Sequence, residues 1–573
     1  MLSYRYLLVS FVLPLVAVAA PSPSVSPVSA CRSSFYPKLC RAVLSPLRFP
    51  SNQYQYGRYS VKQALKRARR TAALFDRYIS GAGGGGRARR GVSGGALEDC
   101  RALASLNADY LEAVQAELGP REAALGAAAV GRVRALMSAV VTNQQTCYDG
   151  LEASRTFPEL RSALAEETRV YGVSLGLVTT ALDRSGSHGH GKSTEPDERT
   201  GEVDTIHVFL VLFFWKYHTC ISRRPTHPVA KKEPRICSMP MQSAGYRGEV
   251  VPVNQSQSVK VAKDGSGNFT SVGDAVAFAP NNTAIEDGYF AIYIEEGVYS
   301  ENVVVPKNKK NLILIGVGIN RTIITSNRSV VDGWTTFASA TFVVHGERFI
   351  AIDITFENTA GPEKHQAVAV RNSADLSSFY RCSFLGYQDT LYVHSLRQFY
   401  RDCDVYGTVD FIFGNAASVF QNCNIYARKP LPGQVNAVTA QGRTMPDQTT
   451  GISIHNCTVR AAPDLEAADR NFTKTFLGRP WKEYSRTVYM QSFIDGVIEP
   501  VGWLEWSGSF ALTTLYYGEY DNHGPGANTS GRVQWPGYSL MNAMDALNFT
   551  VYNFTTADAW LSSTSIPYSG GLL

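Results

Sequence analysis

The 573-residue chain is 44% hydrophobic and 18% charged, a globular balance that excludes a wholly disordered, collagenous or coiled-coil polypeptide. Its net charge of +6 admits acidic partners, nucleic acid among them, without demanding any. The charge is uneven: residues 1–257 hold 32 basic against 20 acidic side chains, and residues 258–573 hold 23 against 29.

Residues 1–20 read as one basic residue, an apolar stretch and small residues, the layout of a secretory signal peptide. Candidate cleavage points lie at Ala19, Ala20 and Ala30. Secretion permits disulfides and argues against a nuclear or cytosolic nucleic-acid binder. Ten N-x-S/T sequons all lie beyond residue 250.

From Cys31 to Asp183 apolar residues recur at three- and four-residue intervals in an Ala- and Leu-rich context, which predicts an all-α four-helix bundle preceded by a short helical arm. The insert GAGGGGRARRGVSGG interrupts it as a loop. Of the three pairings open to its four cysteines, Cys31–Cys40 with Cys100–Cys147 is the simplest. The basic run from Lys66 to Arg90 reads as a solvated surface or a proteolytic site in a secreted chain, rather than a nucleic-acid contact. Gly172-Val173-Ser174-Leu175-Gly176 matches the nucleophile-elbow pattern, but the strand that such an elbow needs is missing from this helical run, so the match is fortuitous.

Residues 184–257 form a polar linker followed by IHVFLVLFFW, a ten-residue apolar run too short to span a bilayer. No membrane span is expected. Cys220 and Cys237 belong to this connector.

Beyond Val259 the texture turns to short β-rich segments after one helix near Val272–Ala279. FYRCSF, FYRDCDV, VFQNCNIY and ISIHNCTV recur, the first steps being 21 and 20 residues. That is the scale of one turn of a parallel β-helix, favoured here over a sandwich or propeller. Asp389 and Asp410 share the 21-residue step, so adjacent coils would set two carboxylates about 5 Å apart on one groove, flanked by Tyr392, Phe411 and Phe413. Such a pair splits into one neutral acid and one ionised carboxylate; the plainer role is that each aspartate caps a turn. The same step brings Cys382 within reach of Cys403, leaving Cys423 with Cys457. Trp481, Trp503 and Trp506 suit stacking on sugar rings, although a single Trp is more often core. No metal-ligand spacing occurs, and neither metal nor cofactor is expected.

GPEKHQAVAVR (361–371), GYQDTLYVH (386–394), GTVDFIFGNA (407–416) and LGRPWKEYSRTV (477–488) together resemble the plant pectin methylesterases of the pro-region type, with VAKDGSGNFTSV, AQGRT, GWLEW and LYYGEYDNHGPGA in support. The helical part, with TNQQTCYDG, resembles their inhibitor-like domain. The resemblance implies a right-handed parallel β-helix over 258–573 that removes methyl esters from polygalacturonate in the cell wall, and an inhibitor-like domain over 31–183. It implies Asp410 as nucleophile, Asp389 as acid and then base, Gln388 and Gln366 as amide donors to the oxyanion, and Arg479 orienting Asp410. Substrate contacts are implied at Thr336, Gln366, Tyr392, Phe413, Arg479, Trp481 and Trp503. The implied partners are methylesterified homogalacturonan, the chain's own inhibitor-like domain and a processing protease. The family's basic processing motif is missing, Arg223-Arg224 before a proline standing in its place. The competing readings are a β-helix pectinase that cuts glycosidic bonds, and an inhibitor protein with a silent catalytic half.

Overall fold

A computed structural model describes residues 23–47, 50–80, 92–122, 125–155, 157–186, 253–468 and 473–573. The signal segment, most of the Gly/Arg-rich insert, and the connector with Cys220 and Cys237 lie outside the described residues.

The N-terminal half is helical: α1 (Pro27–Ala30), α2 (Pro37–Leu44), α3 (Gln53–Ile79), α4 (Val92–Glu117), α5 (Ala127–Ala153) and α6 (Pro158–Gly186). The last four residues of the insert already begin α4. Asn52 caps α3 by accepting the Gln55 N–H at 2.9 Å, a strong start signal. The four long helices pack on Val61, Leu65, Leu111, Val114, Val140 and Leu175. Disulfides join Cys31 to Cys40 in the α1–α2 arm and Cys100 on α4 to Cys147 on α5.

The C-terminal half winds through three sheets of eleven, eight and seven strands, and every pairing between named strands is parallel. One coil contributes Ser377–Tyr380, Ser383–Leu385 and Leu391–Val393; the next contributes Arg397–Arg401, Asp404–Gly407 and Ile412–Gly414. This is a parallel β-helix. The repeat has a local cause: Arg381, Asp402, Asn422 and Asn456 each take a left-handed backbone (φ +50° to +57°), a bend that Asn and Asp tolerate. The next residue, a cysteine each time, then turns into the core. Phe379, Tyr400 and Phe420 stack along that core, with centroids 5.3 and 4.4 Å apart.

Two expectations are corrected here. Cys382, Cys403, Cys423 and Cys457 are free thiols, all buried, so neither Cys382–Cys403 nor Cys423–Cys457 is bonded. Residues at equivalent phase on parallel strands project side by side, whereas a disulfide needs converging Cβ atoms and a dihedral near 90°. The thiols instead reach backbone carbonyls, Cys382 that of Ala351 and Cys403 that of Phe379. Phe411 also points into the core rather than the groove.

Candidate active site

The seven-stranded sheet carries the groove. Its outward row runs Val304, Val343, Arg371, Tyr392, Phe413, Ala440 across successive coils. Tyr392 stacks on Phe413 at 4.2 Å, and Trp481 stands edge-on to both at 6.5 and 6.0 Å. Gly442 lies against Trp481, where a Cβ would sit 2.8 Å from the indole. Gly414, at φ +129°, passes so near the Val393 carbonyl that a Cβ would sit 2.2 Å from it; only glycine fits.

Asp389 and Asp410 occupy the turns before two neighbouring strands of this sheet, in matching phase, since Leu391 pairs with Ile412. Both have left-handed backbones, φ +63° and +52°, a conformation that the surrounding coils hold in place; the Asp389 N–H donates to Val409 O at 3.0 Å. Arg479 grips Asp410 with two hydrogen bonds, Nε to Oδ1 at 2.8 Å and Nη2 to Oδ2 at 2.7 Å. Burial and then the negative charge of Asp410 push the Asp389 carboxyl well above its usual range, against the pull of Arg479. Burial also raises Asp410, but the Arg479 bonds and charge oppose it directly. The balance thus favours the protonated acid more at Asp389, where a neighbouring negative charge adds to burial, than at Asp410, where Arg479 opposes burial.

Gln366 and Gln388 come from adjacent coils joined by the Ala367 N–H to Gln388 O bond of 3.2 Å. The Gln388 side-chain carbonyl is buried without a partner. Thr336 is half-buried, whereas its neighbour Thr335 donates to Asp99 of α4. Trp503 does not reach the groove. It is 1% exposed, stacks on Tyr517 at 4.1 Å and donates to Glu519 at 3.2 Å. Three residues on, Trp506 is 37% exposed and its ring centroid lies 4.5 Å from the Arg479 guanidinium, the group that grips Asp410. Among the described residues no cluster of three or more His, Cys, Asp or Glu is placed to hold a metal, and no described helix is long and apolar enough to cross a membrane.

The helical half lies on this groove. Leu97, Cys100 and Leu103 of α4 share one apolar cluster with Phe337, Val343, Tyr392 and Phe413. On α5, Thr142 accepts from Asn415 Nδ2 at 2.8 Å, Thr146 shares a 3.0 Å hydrogen bond with His394, and Asp149 accepts from Lys482 Nζ at 2.8 Å. All three belong to the TNQQTCYDG segment or abut it. The two glycines of the fortuitous elbow pattern also serve this contact: a Cβ on Gly172 would sit 2.5 Å from Met445 Sδ, and one on Gly176 2.9 Å from Asp447 Oδ2. A contact with the chain's own inhibitor-like domain is what the resemblance implies, but none of these residue pairs was foreseen from the sequence; the sole signal was TNQQTCYDG itself.

A pectinesterase family model matches residues 258–558, and a plant invertase/pectin methylesterase inhibitor model matches residues 26–177. The "Probable pectinesterase/pectinesterase inhibitor 25" of Arabidopsis thaliana is 53% identical over 566 residues, covering 96% of this chain and 87% of that protein. The "Pectinesterase/pectinesterase inhibitor PPE8B" of Prunus persica is 46% identical, covering 83% of this chain and 82% of that protein. Among solved structures, "Pectin methylesterase from Carrot" is 55% identical and covers 55% of this chain and 98% of its own, with a TM-score of 0.54. The chain belongs to the plant pectinesterase family, with an inhibitor-like helical domain ahead of its pectinesterase domain.

Proposed function

We propose that the β-helix half hydrolyses methyl esters of polygalacturonate at the Asp389–Asp410 pair, and that the helical half silences it by lying on the groove. The observation that carries the first part is the bidentate grip of Arg479 on Asp410, beside the buried Asp389 in matching phase on the neighbouring coil. An Asp410 oxygen attacks the ester carbonyl carbon, and the Gln366 and Gln388 amides donate to the oxygen that becomes negative. As the tetrahedral species collapses, the C–OCH3 bond breaks and Asp389 gives its proton to the leaving oxygen, releasing methanol. The resulting acyl-Asp410 is cleaved by water; Asp389, now a carboxylate, takes the water proton and returns to its starting state. The product is a free galacturonate carboxylate. Tyr392, Phe413, Trp481 and Trp506 offer aromatic faces to the sugar chain.

The second part rests on α4 and α5 sharing an apolar cluster and three polar contacts with the walls of that groove. A polysaccharide and these helices compete for one surface. Secretion to the cell wall and cutting in the connector by a processing protease complete this reading. Methanol release from methylated pectin, before and after cutting the connector, tests both parts. No methanol in either state sinks the esterase; equal release in both sinks the silencing. New reducing ends without methanol would instead mark a glycosidic-bond pectinase.

A further inference from the structure

The polar contacts that seat the helical half on the groove come from α4 and α5. Those of α3 stay within the bundle: Arg67 pairs with Glu166, Arg69 with Glu112, and Thr71 donates to Glu167. Between α3 and α4 runs a trough of about 860 Å³, with Lys62, Lys66, Arg69 and Arg70 on its α3 wall and Glu112 on its α4 wall. The spacing i, i+4, i+7, i+8 puts the four cations on one helical face, and all four are exposed. Glu112 answers Arg69 at 2.7 Å. Among the described residues, Lys62, Lys66 and Arg70 have no carboxylate partner. These three are like charges at successive i, i+4 positions, an arrangement that costs helix stability. A local rule broken without a compensating contact in the fold points to a ligand.

We propose that this trough binds de-esterified polygalacturonate, so that the helical half anchors the chain on the product of the esterase half. The proposal rests on the esterase reading, because it takes that polymer to be the polyanion at hand. Lys62 to Arg70 covers about 12 Å of helix. One small anion cannot reach all three unpaired cations, whereas a chain with a carboxylate on every sugar can. The methylated polymer is neutral and gains nothing from them. Gln63 and Gln115 in the same lining offer amide groups to sugar hydroxyls, and a concave trough suits one extended chain better than the flat surface of a membrane. The β-helix half holds 23 basic against 29 acidic side chains, so a polyanion repels it overall. The anchor therefore lies in the half that is removed. An uncut chain is held where esters have already been cleaved, with its groove still covered; a cut leaves the helical half on the polymer and frees the acidic half.

The test passes the full, uncut chain over immobilised polygalacturonate in calcium-free buffer. Wild type is expected to be retained, to be displaced by soluble polygalacturonate but not by its fully methylated form, and to elute as salt screens the contact. Lys62→Gln, Lys66→Gln and Arg70→Gln together should weaken binding about 10-fold, while Lys62→Arg with Lys66→Arg should keep it. Arg32→Gln, Lys38→Gln and Arg41→Gln, at exposed positions of the α1–α2 arm, remove the same charge and should leave binding nearly unchanged. Equal loss in the two triple variants, no loss in either, or displacement by the methylated polymer overturns the site. Tighter binding to vesicles of equal parts phosphatidylcholine and phosphatidylserine, lost in the α3 variant, overturns the ligand. After cutting at a protease site inserted within residues 188–249, the helical half should stay bound and the β-helix half wash through; the reverse contradicts the anchor. Methanol release by the cut α3 variant should equal that of wild type. Release without retention leaves the esterase reading and removes the anchor, and retention without release does the opposite. If the α3 triple variant does not fold, Lys66→Gln and Arg70→Gln singly carry the comparison.

Discussion

Lys482, the residue after Trp481, donates to Asp149 near the C-terminal end of α5 at 2.8 Å. One ion pair thereby ties the helical half to the rim of the groove. Gln145 donates to the same oxygen at 2.8 Å, while the second Asp149 oxygen has no partner. Replacing Asp149 by Ala leaves Lys482 without its counter-charge, a loss of about 1.5–3 kcal/mol for a hydrogen bond to a charged group. The uncut chain is expected to release methanol about 10- to 100-fold faster than wild type, and unchanged latency would show that this pair does not hold the cover down.

Acidity should close the cover. Burial raises the Asp99 carboxyl to about 6, against the pull of Thr335 and Arg371, and burial also raises Asp149 despite Lys482. A carboxyl whose value is higher in the closed form binds more protons there. The closed form is therefore favoured below the ordinary value near 3.8, and that advantage is lost as pH rises to about 6. For Asp99 alone the effect is at most about 3 kcal/mol. Binding of the two halves after cutting, followed by calorimetry between pH 4 and pH 7, should weaken with rising pH. Asp99→Asn should flatten the slope; a profile that strengthens with pH contradicts the sign.

Asp410→Ala is expected to abolish methanol release, by a factor of at least about 10^3, with an unchanged circular dichroism spectrum. Arg479→Gln makes a finer test. Arg479 holds the Asp410 carboxyl down, so its loss should lower kcat and move the acid limb of kcat/KM to higher pH. An unmoved limb would mean that Asp410 is not the group titrating there.

The two tryptophans of GWLEW should separate cleanly. Trp506→Ala removes an exposed ring beside Arg479 and should raise KM with little change in melting temperature. Trp503→Ala opens a core cavity and strips a donor from Glu519, for a stability loss of about 3–5 kcal/mol. Thermal unfolding of both variants, with pectin kinetics, decides the assignment.

Peptide mapping under alkylating denaturant should recover Cys382, Cys403, Cys423 and Cys457 as free thiols, with Cys31–Cys40 and Cys100–Cys147 linked. Linked peptides carrying Cys382 and Cys403 would restore the pairing that spacing suggested.

The 21-residue step was enough to align Asp389 with Asp410, because the coil period is written directly into chain length and every coil pairs in register. The same step misled for Cys382 and Cys403, because a period fixes which residues are neighbours and leaves open whether their side chains converge. Trp503 and Trp506 differ by three positions in an irregular stretch where no alternation marks inside from outside, so only the fold distinguishes them. The contact of Thr142, Thr146 and Asp149 with Asn415, His394 and Lys482 joins residues more than 240 positions apart, and no local pattern can register it. Arg371 was legible only as part of a family motif; its burial against Phe337 appears once the coils are stacked.

The cover and the groove are parts of one polypeptide, with residues 187–252 between them. While that connection lasts, the fraction of molecules that is shut does not depend on how many are present, so concentration and dilution leave it equal. A single peptide-bond cleavage changes the law: separated halves re-associate in proportion to their concentration, and dispersal alone then favours the open state. Timing would then be set by one irreversible cut, and the extent of release by the volume into which the pieces spread.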